Sequence, residues 1–203
     1  SLSHTSPDEL FEAFEQAFAD YEVQLNKAEH LTMFKRRGFN PKASFGAFDR
    51  DKLVSFTCNG IGNFYGVRAA YDTGTGTLKD YQGRGLATQV FEYSIPYLRE
   101  LGIEEYLLEV LQHNTGALSV YRKLGFEITR EFYYFKQKNE QVDRAVKALD
   151  CYYTLKSIKI SEYSSIHKFW DFEPSWQNSF EAINNTLKDF ICLGIFLESK
   201  LVG

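Results

Sequence analysis

Cysteine is scarce in this sequence: three residues in 203, Cys58, Cys151 and Cys192, odd in number, far apart and without CxxC spacing. That pattern gives no disulfide framework and no zinc centre, and no other metal site is expected; it reads as buried thiols in a reducing, cytoplasmic setting. No apolar run approaches the roughly 20 residues needed to span a bilayer, and no charged-then-apolar leader opens the sequence, so no membrane role is expected. A dominant charge is missing too: 23 Lys and Arg against 27 Asp and Glu leave a net charge of −4. Nucleic acid as a main partner would demand a basic face. The slight acidity accommodates a cationic or amine partner instead.

Aromatic residues are plentiful. Eighteen Phe and 13 Tyr within a 44% hydrophobic composition favour large packed sheet faces and aromatic-lined clefts. The length suits one large domain or one and a half small ones.

The most informative stretch is Tyr81–Leu101, YQGRGLATQVFEYSIPYLREL. Gly83 and Gly85 stand where a strand ends, and Leu86, Val90, Ser94 or Ile95, Leu98 and Leu101 then recur on one helical face. A tight glycine turn delivering a helix N-terminus offers unpaired N–H groups and the positive end of the helix dipole, a seat for phosphate. Upstream, Ser6-Pro7-Asp8-Glu9 is a capping-box start for a helix with Leu10, Phe11, Phe14, Phe18 and Tyr21 on one stripe. A second helix is expected over 28–37, ending in Lys35-Arg36-Arg37, a cluster read as a solvated face. Residues 44–57 read as a hairpin turning at Asp49-Arg50-Asp51, Asn59–Asn63 as a turn-rich interruption, and Val67–Thr77 as a strand leading into the glycine turn. Within that strand, Asp72-Thr73-Gly74-Thr75-Gly76-Thr77 marks a bulge or a close backbone approach. A strand at Tyr106–Leu111 and a helix follow, with Asn114 as N-cap, Leu118, Tyr121 and Leu124 on one face and Gly125 as stop.

Two separated motifs, QGRGLA at 82–87 and LEVLQHNTGALSVYRKLGF at 108–126, resemble the GCN5-related N-acetyltransferase (GNAT) family in order and spacing. The resemblance covers about 45–135. It implies an α/β fold with a mixed, splayed central sheet flanked by helices, and transfer of acetyl from acetyl-CoA to a small-molecule or peptide amine by direct attack. It further implies that Thr75, Gly76, Thr77 and Leu78 line the thioester and pantetheine. Gln82, Gly83, Arg84, Gly85, Leu86, Ala87 and Thr88 would hold the pyrophosphate, Asn114 would touch the cofactor arm, and Tyr121 would be the acid for the departing thiolate. The attacking amine must be neutral, so a base is needed. Many relatives use a Glu near the start of the strand before the glycine turn; here that count reaches Tyr71 and Asp72. Asp72 is the first candidate, Glu109 the second and His113 the third, each with an alternative reading as a strand-end or turn residue. The missing Glu supports a rival expectation, a catalytically silent acyl-CoA-binding or protein-interaction module.

Domains are expected at 1–136, with a linker at 137–151. Residues 152–203 read as a partial repeat, a strand at 152–160 followed by helical segments, because GIFLESKLVG at 194–203 matches GAFDRDKLVS at 46–55 with an offset of 148. The strand at 152–160 has an alternative place as the last strand of the first domain. A half sheet leaves an unpaired edge, to be covered by the first domain or by a second chain in a homodimer.

Overall fold

The computed structural model describes residues 1–21, 24–135, 137–138, 140, 152–160 and 166–203. The chain forms two compact units, one of residues 1–126 and 174–187, the other of residues 127–173 and 188–203.

In the first unit the elements run α1 (Pro7–Ala17), α2 (Lys27–Arg37), β1 (Phe45–Asp49), β2 (Lys52–Phe64), β3 (Val67–Thr77), α3 (Leu86–Glu100), β4 (Glu105–Leu107) and α4 (Thr115–Lys123). The expected capping box opens α1: Glu9 N–H donates to Ser6 Oγ at 3.2 Å and Ser6 N–H to Glu9 Oε2 at 2.7 Å. Asn26 and Glu29 repeat the device at α2, which stops at Gly38 in the left-handed region. The four strands lie in the order β1-β2-β3-β4, antiparallel except for the parallel β3–β4 pair. This is the mixed, helix-flanked sheet the sequence implied. Leu10, Ala13, Phe34, Leu53, Phe56 and Leu78 form one core cluster, with Phe14, Ala17 and Phe18 of the α1 region packed on it. His30 is buried among Phe11, Phe14 and Phe34, and burial, with the Arg37 charge, lowers its pKa to about 4.

Asn59–Asn63 is not an interruption: β2 runs through it to Phe64. Asn59 bonds to the segment that leads into β1, its N–H donating to Ser44 Oγ and its Nδ2 to Ala43 O, at 2.8 and 2.7 Å. Gly60 is there for proximity, since a Cβ would lie 2.0 Å from the Arg37 carbonyl oxygen. The strand expected at Tyr106–Leu111 is shorter, because β4 leaves β3 after Leu107.

The second unit holds a three-stranded antiparallel sheet of β5 (Tyr153–Ser157), β6 (Leu193–Leu197) and β7 (Lys200–Leu201). α5 (Phe180–Asn185), which lies before β6 in the chain, belongs to the first unit together with the rest of 174–187. The expected 152–203 block is thus divided between the two units. Of the expected linker, residues 139 and 141–151 lie outside the described residues.

The sequence repeat is also a local structural one. Phe48 pairs with Leu53 and Phe196 with Leu201, and the turn residues Arg50 and Glu198 both have φ 55°. A Cβ on Gly46 would meet Leu53 Cδ1 at 2.4 Å, and one on Gly194 would meet Leu201 Cδ1 at 2.7 Å.

Candidate active site

The site begins where the sheet opens. β3 and β4 pair only at Ala69–Glu105, Ala70–Tyr106 and Tyr71–Leu107. One residue further, the register of β2 against β3 shifts: Asn59 faces Asp72 and Cys58 faces Gly74, leaving Thr73 as the bulged residue. Thr73 Oγ1 donates to Cys58 O at 2.9 Å, which fixes the bulge. The bulge thus re-aims β3 at the point where its partner strand departs.

Asp72 sits at that point, 8% exposed. Gly74 N–H donates to its Oδ1 at 2.8 Å, and the Thr75 and Tyr121 hydroxyls both donate to its Oδ2 at 2.8 Å. Burial pushes its pKa above the ordinary carboxylate value against these hydrogen bonds and the Arg37 charge. Burial and the adjacent Asp72 raise the Tyr121 hydroxyl. Tyr121 reaches Asp72 from α4, whose N-cap is Asn114 with its Oδ1 accepting from Ala117 N–H at 3.1 Å. The expected acid and the first base candidate therefore touch directly.

Glu109 stands apart from this pair. Its Oε1 accepts the main-chain N–H of Trp176 at 3.0 Å, and its charge and hydrogen bond act on the buried Tyr71 hydroxyl. His113, the third candidate, is exposed at the start of the turn into α4.

The glycine turn has the form the sequence called for. Gln82–Gly85 is exposed, Gly83 and Gly85 both have φ 74°, and Gly85 N-caps α3 with no side-chain cap. A Cβ on Gly83 would meet nothing within 4 Å. Arg84 lies over the Tyr81 ring and donates to Asp80 O at 2.7 Å, while Gln82 Nε2 donates to Thr77 O at 3.1 Å. Leu86, Ala87 and Thr88 are half-buried in the first turn. Between the two places, Thr75 and Thr77 are half-buried with their hydroxyls on Thr57 and Ser55, and Gly76 is buried. Leu78 lies in the core, its N–H donating to Val54 O.

Sequence reasoning missed Arg37 and Trp176. Arg37 is no solvated cation: its Nη1 donates to Thr73 O at 3.0 Å, its Nη2 to Gln177 Oε1 at 2.8 Å, and it lies 5.7 Å from the Tyr71 ring centre. Trp176 stacks on Tyr71 at 5.2 Å with 6° between the ring planes. No local signal ties these residues to the site. Among the described residues no group of His, Cys, Asp and Glu could hold a metal ion, and no helix is long and apolar enough to cross a membrane.

Residues 8–126, more than half of the chain, match the acetyltransferase (GNAT) family model. The chain belongs to the GNAT family. Among curated GNAT relatives, N-alpha-acetyltransferase MAK3 of Arabidopsis thaliana is 32% identical over 116 residues, 56% of this chain and 61% of that protein. The chain spans about half to three fifths of the length of the first curated relatives it matches. The GNAT fold recurs in the ribosomal-protein-S18-alanine N-acetyltransferase of Escherichia coli, with TM-score 0.51 and 21% identity over 63% of this chain and 75% of that one. It recurs again in a chain of the NatC complex bound to Gag peptide and CoA, with TM-score 0.52 and 18% identity over 61% of this chain and 80% of that one.

Proposed function

We propose that the protein transfers an acetyl group from acetyl-CoA to an amine nitrogen of a small molecule or peptide by direct attack, without a covalent enzyme intermediate. The observation that carries this reading is the 2.8 Å hydrogen bond from Tyr121 to Asp72 at the mouth of the splayed strands. The naming of curated relatives as N-acetyltransferases supports the reaction class.

The residues fit a CoA thioester, which supplies the activated acyl group when bound. An uncapped helix N-terminus between two glycines in the left-handed region, one with open space at its Cβ, suits a pyrophosphate. Gln82 to Thr88 hold it there. The edge of β3 from Asp72 onward is unpaired on the β4 side and offers main-chain groups to the pantetheine through Thr75, Gly76 and Thr77. Asn114 fixes the start of α4 and so the reach of Tyr121.

Asp72 takes the proton of the attacking amine, directly or through water. Tyr121 gives its proton to the leaving thiolate, and the protonated Asp72 restores it across their hydrogen bond. The net transfer is one proton from amine to thiol. Backbone N–H groups of the bulged strand face the developing oxyanion.

The test is thiol release from acetyl-CoA across an amine panel, with Asp72→Asn and Tyr121→Phe. Each substitution is expected to lower kcat about 100-fold, the scale of general acid–base catalysis, while acetyl-CoA still binds. Because burial raises Asp72, the rate falls as pH drops through that raised value, and Asp72→Asn flattens the acid limb. Stability runs the other way. The folded state holds this proton more tightly than the unfolded chain, so stability declines as pH rises through the same window. Full activity in both variants would remove Asp72 and Tyr121 from the mechanism.

The matched hairpins at 46–53 and 194–201 support reading the C-terminal sheet as the opening of a second unit of the same family. A homodimer through its sheet edge is part of this proposal, checked by sedimentation.

A further inference from the structure

The first unit is not continuous in sequence. The chain leaves it at Phe126 and returns at Pro174, and the returning stretch lies outside the residues that match the family model. This stretch is fastened at many points. Trp176 N–H donates to Glu109 Oε1 at 3.0 Å, and its indole Nε1–H to Arg37 O at 3.1 Å. Arg37 donates to Gln177, Asn63 N–H to Glu181 Oε2 at 2.8 Å, and Asn185 Nδ2 to Arg36 O at 3.2 Å. Trp176, Ala182 and Thr186 are almost fully buried. A segment held by two carboxylates accepting main-chain N–H groups, with three buried side chains, is a fixed wall rather than a lid.

The wall stands beside the chemistry. Tyr71 is the last β3 residue paired with β4, and Asp72 follows it. Trp176 covers Tyr71 on one face of the sheet, sandwiched between it and Phe64, with ring centres 5.2 and 5.6 Å away. Successive strand residues point to opposite faces, and Asp72 meets Tyr121 of α4 on the other. The opening between β3 and β4 therefore has α4 on one side and the Trp176 indole on the other. With the cofactor seat on the α3 and α4 side, an amine reaches the opening past Trp176, Gln177 and Glu109.

We propose that Trp176 and Gln177 are specificity-determining residues, forming an acceptor wall that restricts the site to slender primary amines, and that Trp176 also positions the Glu109 carboxylate toward the incoming ammonium. The proposal rests on the acetyl-transfer reading. Both faces of the Trp176 indole are covered by Tyr71 and Phe64, so the exposed Glu109 carboxylate, with one oxygen held by the Trp176 main-chain N–H, supplies the attraction for a protonated primary amine through its charge. The indole limits its bulk.

The test compares wild type, Trp176→Ala, Trp176→Phe and Gln177→Ala on methylamine, tryptamine and a tetrapeptide with a free N-terminus, with calorimetry of acetyl-CoA beside it. Trp176→Ala is expected to shift kcat/KM toward tryptamine over methylamine by about tenfold, the scale of a reshaped apolar pocket. Acetyl-CoA affinity stays unchanged, and Trp176→Phe restores the original ranking. An unchanged ranking, a rate increase shared equally by all amines, or a parallel loss of acetyl-CoA affinity would overturn the wall. A second arm needs no turnover. Trp170→Phe leaves Trp176 as the one tryptophan of the chain, and its fluorescence is followed during titration with the same amines. If wild type acetylates none of them, the catalytic reading fails, while a saturable change in Trp176 emission still supports the wall. No change with any amine overturns it.

Discussion

Two glycine pairs lie within a dozen residues of each other, Gly74 with Gly76 and Gly83 with Gly85, and their reasons for being glycine are opposite. Gly74 and Gly76 have no left-handed φ; they are glycine because the α1 region presses on them. A Cβ on Gly74 would meet the Phe14 ring at 2.4 Å, and one on Gly76 would meet Phe56 at 2.7 Å and Ala17 at 2.9 Å. Gly83 and Gly85 have the positive φ that only glycine adopts cheaply, and the space around them is open: nothing for Gly83, and one Gln89 atom at 3.6 Å for Gly85. The first pair lets a helix approach the sheet. The second shapes a turn and leaves room for something outside the protein. Glycine in a sequence does not say which reason applies, and only neighbouring atoms and φ separate them.

Substitution can break this comparison. Gly74→Ala is expected to cost about 2 kcal/mol, the scale of overpacking a filled core, because Phe14 is itself held against Phe18, His30, Phe34 and Phe56. Urea unfolding measures it, and a loss close to zero would show that Phe14 yields and the contact is not the reason for glycine. Gly83→Ala is expected to cost less, about 1 kcal/mol, from backbone conformation alone. A larger loss than at Gly74 would invert the account.

The same distinction explains what was legible in the sequence. Helix starts at Ser6 and Asn114, the stop at Gly125, and the β1–β2 hairpin were readable because each is decided by residues within a few positions. The glycine turn and α3 were readable for the same reason. The reading of Asn59–Asn63 as a loop failed because composition there is governed by distant partners, Ser44, Ala43 and the Arg37 carbonyl. Arg37 was misread for a like cause: its partners, Thr73 and Gln177, lie far along the chain. Of the site, Asp72 and Tyr121 could be named separately, but their hydrogen bond joins positions 49 residues apart and needed the fold. Trp176 was beyond reach, since nothing local to 174–187 announces a return to the first unit.

The open turn at Gly83 and Gly85, not the packed pair Gly74 and Gly76, is the proposed seat of the cofactor's pyrophosphate. Titration calorimetry of acetyl-CoA into wild type and Gly85→Trp tests it most directly. Micromolar binding by wild type is expected, with a loss of about 100-fold or more in the variant, roughly 3 kcal/mol, beside a fall of only about 1 kcal/mol in unfolding free energy from a side chain at the left-handed φ of Gly85. Equal affinity in the two proteins, or no binding by wild type, would contradict it.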